Sequence, residues 1–237
     1  MSAATRPRVK ICGLTRAQDV ALAVSLGADE LGVVLAPESP RCVSAQVARE
    51  LLVPFARGAR GAGGAGQIGR AGRARGVLVF RTPTMAEVLR AVEITGIRDV
   101  QLHRTSAELA ASLSTHGCRV RRAFDAPFSP SVFPLARTGA TSPPIVFDVG
   151  GGGSGQSFPK TLLAGRDLGN AYVAGGLDAD RLDDVLPLAP LGIDLSSRLE
   201  RRPGVKDAER LRDFFHAFET RLLSSPQVTS AKPDRIR

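Results

Sequence analysis

The sequence predicts a single (β/α)8 barrel, and three observations lead to that fold class. The chain has 237 residues, 43% of them hydrophobic, which suffices for one sizeable core. Short segments rich in Val, Ile and Leu alternate with segments of helical period, and the alternation repeats eight times. The strand segments are apolar on both faces, which is typical of a parallel sheet covered by helices. An open, doubly wound sheet is the structural alternative, but no Gly-x-Gly-x-x-Gly turn follows the first strand.

Each strand segment is followed by a segment with helical spacing of its apolar residues. The pairs are "RVKIC" with 16–27, "ELGVVL" with 44–55, "GVLVF" with 84–96, "RDVQLH" with 105–116, "CRVRRA" with 128–139, "PIVFD" with 158–168, "NAYVAG" with 178–188, and "LGIDL" with 206–223. The stretch 128–139 is the exception, because it is poorly defined as a helix. We therefore expect residues 1–223 to form the barrel and 224–237 to form a disordered tail.

One segment, 57–76, interrupts this alternation with five arginines, many glycines and almost no apolar side chains. Such a composition predicts a flexible insertion, placed between the second helix and the third strand and so on the N-terminal face of the barrel. Its arginines could bind nucleic acid, but no aromatic residues are interleaved to stack on bases. A solvated loop is the interpretation that the composition favours.

Composition also limits the kind of protein. Lys and Arg exceed Asp and Glu by 32 to 23, a formal charge of +9 that suits anionic ligands. The three cysteines, Cys12, Cys42 and Cys118, show no C-x-x-C spacing, so neither a disulfide framework nor a zinc site is expected and a reducing cytoplasm fits best. There is no apolar signal core and no run of about 18 apolar residues that could cross a bilayer.

The carboxyl ends of barrel strands and the loops after them form the active site in this fold class. Cys12 ends the first strand and Asp148 ends the sixth, so a thiol and a carboxyl group should lie across the same mouth. A thiol of suitable pKa can act as a general base while an opposed carboxylic acid donates a proton, a pair that suits an isomerase. Cys12 by itself could equally be a small buried hydrophobic residue, and Asp148 could merely brace the glycine loop after it.

Glycine and serine follow the last three strands. "GGGGSG" at 150–155 suits a loop that closes over a substrate, and "AGGL" and "DLSS" place backbone N–H groups where such barrels often hold phosphate. Ordinary turn chemistry at strand–helix junctions is the alternative. No group of residues has metal-ligand spacing, no Ser-His-Asp arrangement is evident, and no cofactor is implied.

The ordered motifs "KICG", "SPR", "VQLH", "FD" before "GGSG", "AGGL" and "DLSS…PGVKD" resemble the phosphoribosylanthranilate isomerase family of tryptophan biosynthesis. The resemblance runs nearly end to end and implies a (β/α)8 barrel that catalyses an Amadori rearrangement without a cofactor. By motif it implies that Cys12 is the base at ribose C2, that Asp148 is the acid at the ring oxygen, and that Arg41 pairs with the anthranilate carboxylate. The remaining residues that it implies for substrate binding are His103, Gly153, Gly155, Gly175, Gly176, Asp194, Ser196 and Ser197.

Several positions depart from the family pattern. Arg104 and Arg198 stand where the family usually has glycine, and Arg81 stands where it generally has a small polar residue. We expect all three arginines to alter the mouth, with Arg198 either obstructing the phosphate site or adding a charge to it. The loop after Asp148 is shorter than usual, and "SFPK" follows it in place of Phe-Asp-Trp.

Three functional hypotheses follow. The first is the isomerase of phosphoribosylanthranilate, supported by retention of Cys12 and Asp148. The second is a sibling enzyme for another phosphorylated or carboxylated small molecule, prompted by Arg81, Arg104 and Arg198. The third is a catalytically silent barrel that binds a partner, such as nucleic acid, through 57–76. The expected ligand is a small phosphorylated molecule rather than nucleic acid or a membrane, and the oligomeric state is left open.

Overall fold

A computed structural model describes residues 6–56, 74–149 and 160–224. Eight parallel strands close into a barrel in sequence order, each paired with its neighbours and β8 paired with β1. The predicted (β/α)8 barrel is therefore confirmed. The strands are β1 Arg8–Ile11, β2 Glu30–Val34, β3 Arg75–Arg81, β4 Asp99–His103, β5 Arg119–Asp125, β6 Ile145–Asp148, β7 Ala171–Ala174 and β8 Gly192–Leu195. A short antiparallel hairpin, β9 Glu200–Arg202 and β10 Val205–Lys206, follows the barrel.

The helices cover the outside of the sheet. They are α1 Ala17–Ser25, α2 Ala45–Ala56, α3 Met85–Thr95, α4 Ala107–Thr115, α5 Leu182–Val185 and α6 Ala208–Ser224. Local sequence sets their ends: Thr84 and Glu87 form a reciprocal capping box before α3, and Gly96 ends that helix in the left-handed conformation. None of the described helices is long and apolar enough to span a membrane.

The helices predicted after β5 and β6 are wrong within the described residues. A 3-10 helix, Pro130–Ala136, follows β5, and a shorter one, Lys160–Leu162, follows β6. Proline explains the first case, because Pro134 lies inside the segment and lacks the N–H group that a continuing α-helix requires. After β7, α5 is flanked by 3-10 turns at Ala179–Arg181 and Leu186–Leu188, so the predicted helix 178–188 is only partly α-helical.

Two predicted boundaries also need adjustment. Most of 57–76 lies outside the described residues, but Arg75 and Gly76 already belong to β3, where sheet pairing with β2 outweighs the low apolar content. Most of 224–237 is likewise outside, while Ser224 is the last residue of α6.

The barrel interior is polar below the level of the cavity. Arg121 donates to both carboxylate oxygens of Glu30, at 2.6 and 2.9 Å, and Tyr172 donates its hydroxyl to Glu30 at 2.8 Å. The Arg121 guanidinium also lies over the Tyr172 ring, 4.6 Å from its centroid. Gly192 is required beside this ring, because a Cβ there would collide with it. These buried side chains fill the barrel axis on the N-terminal side of the site.

Candidate active site

A cavity opens at the carboxyl ends of the strands. The described residues that line it are Cys12, Val34, Ala36, Ser39, Arg41, Val79, Phe80, Arg81, Gln101, His103, Asp148, Ala174, Gly175, Gly176, Leu177, Asp194, Ser196, Ser197 and Arg198. Cys12 and Asp148 therefore face one space, as the strand-end rule predicts. That shared space is what allows a base and an acid to reach two sides of one ligand.

Cys12 follows β1, and its backbone N–H bonds to the Leu195 carbonyl at 2.8 Å, which continues the β1–β8 pairing. The side chain is buried, and a Cβ on the neighbouring Gly32 would lie 2.9 Å from its Sγ. Glycine at 32 thus makes room for the sulfur. Burial raises the pKa of the Cys12 thiol, while the positive charge of Lys10 opposes that rise. A thiol held in this way is a strong base once it is ionised.

Lys10 lies two residues before Cys12 on the inner face of β1 and is completely buried. Its Nζ donates to Asp194 Oδ2 at 2.7 Å. Burial alone would lower the pKa of Lys10, but the Asp194 carboxylate raises it above its ordinary value. Lys10 is therefore a fixed positive charge beneath the thiol, and Asp194 lines the cavity as the anion that holds it.

Asp148 ends β6 directly beside Asp125 of β5, its register partner, and both lie near His103 of β4. His103 Nδ1 is 3.6 Å from Asp125 Oδ1, and its Nε2 is 3.1 Å from Gln101 Nε2. The neighbouring His103 and Arg104 lower the pKa of Asp125, so this carboxyl group is ionised. The described chain thus places a second carboxylate, unforeseen from the sequence, next to the predicted acid.

The side chains of His103, Asp125 and Asp148 could also approach a cation, since one ligand atom from each lies within 4.8 Å of the others. Sequence spacing gave no sign of such a group. His103 Nδ1 and Asp125 Oδ1 are 3.6 Å apart, a separation that two ligands of one ion can have.

Arg41 lines the cavity, and two of its three guanidinium nitrogens face Glu200. Its Nε lies 3.0 and 3.1 Å from the two Glu200 oxygens, and its Nη2 donates to Oε2 at 2.8 Å. Lys206 Nζ donates to the same carboxylate at 2.9 Å and to the Ser196 carbonyl at 3.1 Å. Burial would raise the pKa of Glu200, yet these two cations lower it. The three side chains form a buried cluster in which two cations share one carboxylate.

The candidate phosphate loops follow β7 and β8. Gly175 and Gly176 have φ of 102° and 63°, which only glycine adopts without strain. Ser196 donates its hydroxyl to the Cys12 carbonyl at 3.2 Å, tying the loop after β8 to the thiol-bearing segment. Ser197 and Arg198 line the same wall. The arrangement presents small residues and a cation where an anionic group can approach the backbone.

The predicted site residues divide into three groups. Those that the structure brings to the cavity are Cys12, Arg41, Arg81, His103, Asp148, Gly175, Gly176, Asp194, Ser196, Ser197 and Arg198. Gly153 and Gly155 lie outside the described residues. Arg104 is not among the described residues that line the cavity; its φ is 52° and its Nε donates to Asp125 at 3.2 Å, and its effect on the mouth stays a prediction.

Sequence reasoning missed several functional neighbours. Lys10 and Gln101 each lie two residues before a predicted site residue, so the two-residue period of a strand could have identified them. Glu200 and Lys206 belong to the hairpin beyond β8, where no strand-end rule applies. Asp125 is the last residue of β5, two residues beyond the predicted segment "CRVRRA", and no motif surrounds it.

Comparisons with known proteins agree with this architecture. The family model for N-(5'-phosphoribosyl)anthranilate isomerase matches residues 62–217. The isomerase of Bordetella parapertussis is 35% identical over 232 residues, covering 91% of this chain and 97% of the relative. The "Tryptophan biosynthesis protein TrpCF" of Salmonella typhi is 32% identical over 206 residues, or 87% of this chain, which spans only 42% of that longer protein.

Solved structures show the same likeness. The phosphoribosyl anthranilate isomerase of Thermus thermophilus superposes with a TM-score of 0.74 at 32% identity, covering 90% of this chain and 98% of that one. TrpF of Jonesia denitrificans gives 0.72 at 30% identity, with 93% and 99% covered.

Proposed function

This chain belongs to the N-(5'-phosphoribosyl)anthranilate isomerase family, and we propose that Cys12 and Asp148 perform its reaction as general base and general acid. The substrate is N-(5'-phosphoribosyl)anthranilate, and the reaction is its isomerisation. The sibling-enzyme hypothesis has no comparable support among the relatives. Nucleic-acid binding through 57–76 stays a prediction, because most of that segment lies outside the described residues.

The finer reaction class that we propose is an aldose–ketose isomerisation by Amadori rearrangement. Asp148 donates a proton to the ribose ring oxygen as the bond from C1 to that oxygen breaks, and the nitrogen lone pair forms a C1=N iminium. The Cys12 thiolate then removes the C2 proton. The C–H electrons form a C1=C2 bond and the iminium electrons return to nitrogen. Proton transfer from the C2 hydroxyl group to C1 by tautomerisation completes the ketose, so no atoms or electrons are gained.

The observation that carries this proposal is that a thiol and a carboxyl group line one cavity from separate strands. Lys10 supports the role of Cys12, because its buried positive charge opposes the rise that burial causes in the pKa of the thiol. The loops holding Gly175, Gly176, Ser196 and Ser197 are proposed to bind the phosphate through backbone N–H groups. A ligand anchored there would extend its sugar between the two reacting side chains.

Loss of anthranilate-derived fluorescence during turnover tests the assignment. We expect Cys12→Ala and Asp148→Ala each to lower kcat by about 10²- to 10⁴-fold, the range for general acid–base groups, with a smaller change in KM. Cys118→Ala is the matched control, since Cys118 is buried outside the cavity. Absence of turnover by the native chain would remove the proposed activity. Full turnover by either active-site variant would remove the role assigned to that residue.

A further inference from the structure

Glu200 contacts Arg41 from behind the cavity wall, and we propose that its carboxylate is a positioning residue that orients the Arg41 guanidinium toward the anthranilate carboxylate of the substrate. The inference rests on the proposed function and on the role that the sequence motif implies for Arg41. Glu200 begins β9, the hairpin strand that follows the barrel, and it is not among the described residues that line the cavity. It therefore acts through Arg41 rather than on the ligand.

The contacts between the two side chains fix the orientation of the guanidinium. Arg41 Nε lies 3.0 and 3.1 Å from the two Glu200 oxygens, and Nη2 donates to Oε2 at 2.8 Å. Two adjacent donors on one carboxylate set the plane of the guanidinium and the direction of its third nitrogen, Nη1. No described residue accepts a hydrogen bond from Nη1. Because Arg41 lines the cavity, the two N–H groups of Nη1 are the donors left for a ligand.

Glu200 is itself held by the elements around it. Lys206 Nζ donates to Glu200 Oε1 at 2.9 Å and to the Ser196 carbonyl at 3.1 Å. Arg210, on α6, donates from Nη1 to the backbone carbonyl of Glu200 at 2.8 Å. The hairpin, α6 and the loop after β8 therefore fix the carboxylate together, so that it can serve as a rigid support for Arg41.

Burial and charge strengthen this support. The side chains of Arg41 and Glu200 are 11% and 3% exposed, so water competes little for their hydrogen bonds. Burial would raise the pKa of Glu200, but the hydrogen bonds from Arg41 and the charge of Lys206 lower it. An ionised carboxylate accepts from two guanidinium nitrogens at once, whereas the amide of glutamine offers one oxygen. Both oxygens of Glu200 are thus used in orienting Arg41.

A guanidinium that is already oriented binds a carboxylate more tightly than a free one. An arginine side chain that must lose its rotamer freedom on binding weakens its ligand by about 2- to 10-fold. In this chain Glu200 removes that freedom when the protein folds. Loss of Glu200 should therefore weaken only those ligands that carry the carboxylate.

A comparison of two non-reacting ligands tests the assignment without requiring turnover. One is the reduced product, a pentitol phosphate bearing a 2-carboxyphenylamino group, and the other is its phenylamino counterpart without the carboxylate. Calorimetry measures both with the native chain, Glu200→Gln, Arg41→Gln and the double variant. Glu30→Gln is the matched control, because Glu30 is a buried carboxylate that accepts two hydrogen bonds from Arg121 but is not among the described residues lining the cavity.

We expect the native chain and Glu30→Gln to prefer the carboxylated ligand by about 10- to 100-fold, as charge-assisted hydrogen bonds provide. Glu200→Gln should reduce that preference by about 2- to 10-fold and bind the phenylamino ligand as the native chain does. Arg41→Gln should lose most of the preference. In the double variant, Glu200→Gln should cause no further loss, because its effect passes through Arg41.

The structure of the native chain with the reduced product bound is a second test, which does not depend on how well any variant folds. The ligand carboxylate should accept from Arg41 Nη1 while Nε and Nη2 keep their contacts with Glu200. An Arg41 side chain that leaves Glu200 to reach the ligand overturns the assignment.

The calorimetry can overturn it as well. Glu200→Gln would do so by keeping the full preference, by weakening both ligands alike, or by causing a further loss in the double variant, and a native chain without any preference would do so too. Failure of the proposed activity is seen separately, as absence of turnover of phosphoribosylanthranilate by the native chain.

Discussion

Replacement of Lys10 by methionine should reveal how a buried charge supports the candidate base. Methionine is close to lysine in length but has no charge, so the substitution removes the ion pair with little change in packing. In the native chain Lys10 Nζ lies 2.7 Å from Asp194 Oδ2, and the two side chains are 0% and 6% exposed. The variant leaves the Asp194 carboxylate buried without this partner.

The expected magnitude follows from that burial. Removing one partner of a buried pair costs about 3–5 kcal/mol of unfolding free energy. For a chain of this size that corresponds to a Tm lower by roughly 6–20 °C. The same charge opposes the rise in the pKa of Cys12, so its loss should raise that pKa further. Since thiolate is the active base, the ascending limb of kcat/KM against pH should move to higher pH.

Three measurements check this chain of reasoning. Urea unfolding gives the stability change, and ultraviolet titration of the thiolate gives the Cys12 pKa in a background where Cys42 and Cys118 are replaced. The double variant Lys10→Met/Asp194→Asn should recover much of the lost stability, because it no longer buries an unpaired carboxylate. A Lys10→Met variant within about 0.5 kcal/mol of the native chain, or a Cys12 pKa that falls, would refute the reasoning.

Two further substitutions test other parts of the barrel. At neutral pH, Glu30→Gln should lower the free energy of unfolding by about 3–5 kcal/mol, because it leaves the buried Arg121 without its anionic partner. Burial would raise the pKa of Glu30, but Arg121 lowers it below the ordinary value of 4.5. The contribution of the ionised Glu30 to the free energy of unfolding is therefore fully present above pH 4.5, and it is lost as the pH falls through the pKa of Glu30 in the folded protein. Urea unfolding at neutral and strongly acidic pH should therefore show the gap between native and variant closing in acid, and a constant gap would contradict the assignment. Gly13→Ala should lower both Tm and kcat/KM, and the loss in free energy of unfolding should be at least about 1 kcal/mol. The φ of Gly13 is 73°, and a Cβ there would push Arg41 away from Glu200. Unchanged melting and kinetics would show that the Arg41 cluster tolerates displacement.

The fold was predictable because its eight strands carry a strong local signal. Runs such as "GVLVF" and "PIVFD" are apolar on both faces, and sheet pairing then fixes them in order. The helices after β5 and β6 were less predictable. The stretch 128–139 is poorly defined in the sequence, and Pro134 inside it lacks the N–H group that a continuing α-helix would use, which leaves a 3-10 helix.

The site was predictable where chemistry coincides with a strand end, as it does for Cys12, Asp148 and Asp194. It was not predictable where a partner comes from a distant segment. Arg41 has the sequence context of a ligand-binding residue, and only the fold brings Glu200 against it. Arg104 follows His103 directly, and only the fold shows that its guanidinium bonds to Asp125 and is not among the described residues lining the cavity.

The buried side chains of Glu30, Arg121 and Tyr172 fill the barrel axis on the N-terminal side of the cavity, and they close that end of the described part of the barrel. Water and protons that exchange with the sulfur of Cys12 must then travel through the same entrance as the ligand. While a ligand occupies that entrance, a proton taken by the thiol is isolated from bulk solvent and stays beside the carbon that released it. Isotope label removed from that carbon should therefore stay on the thiol until the product leaves, and exchange with solvent only then.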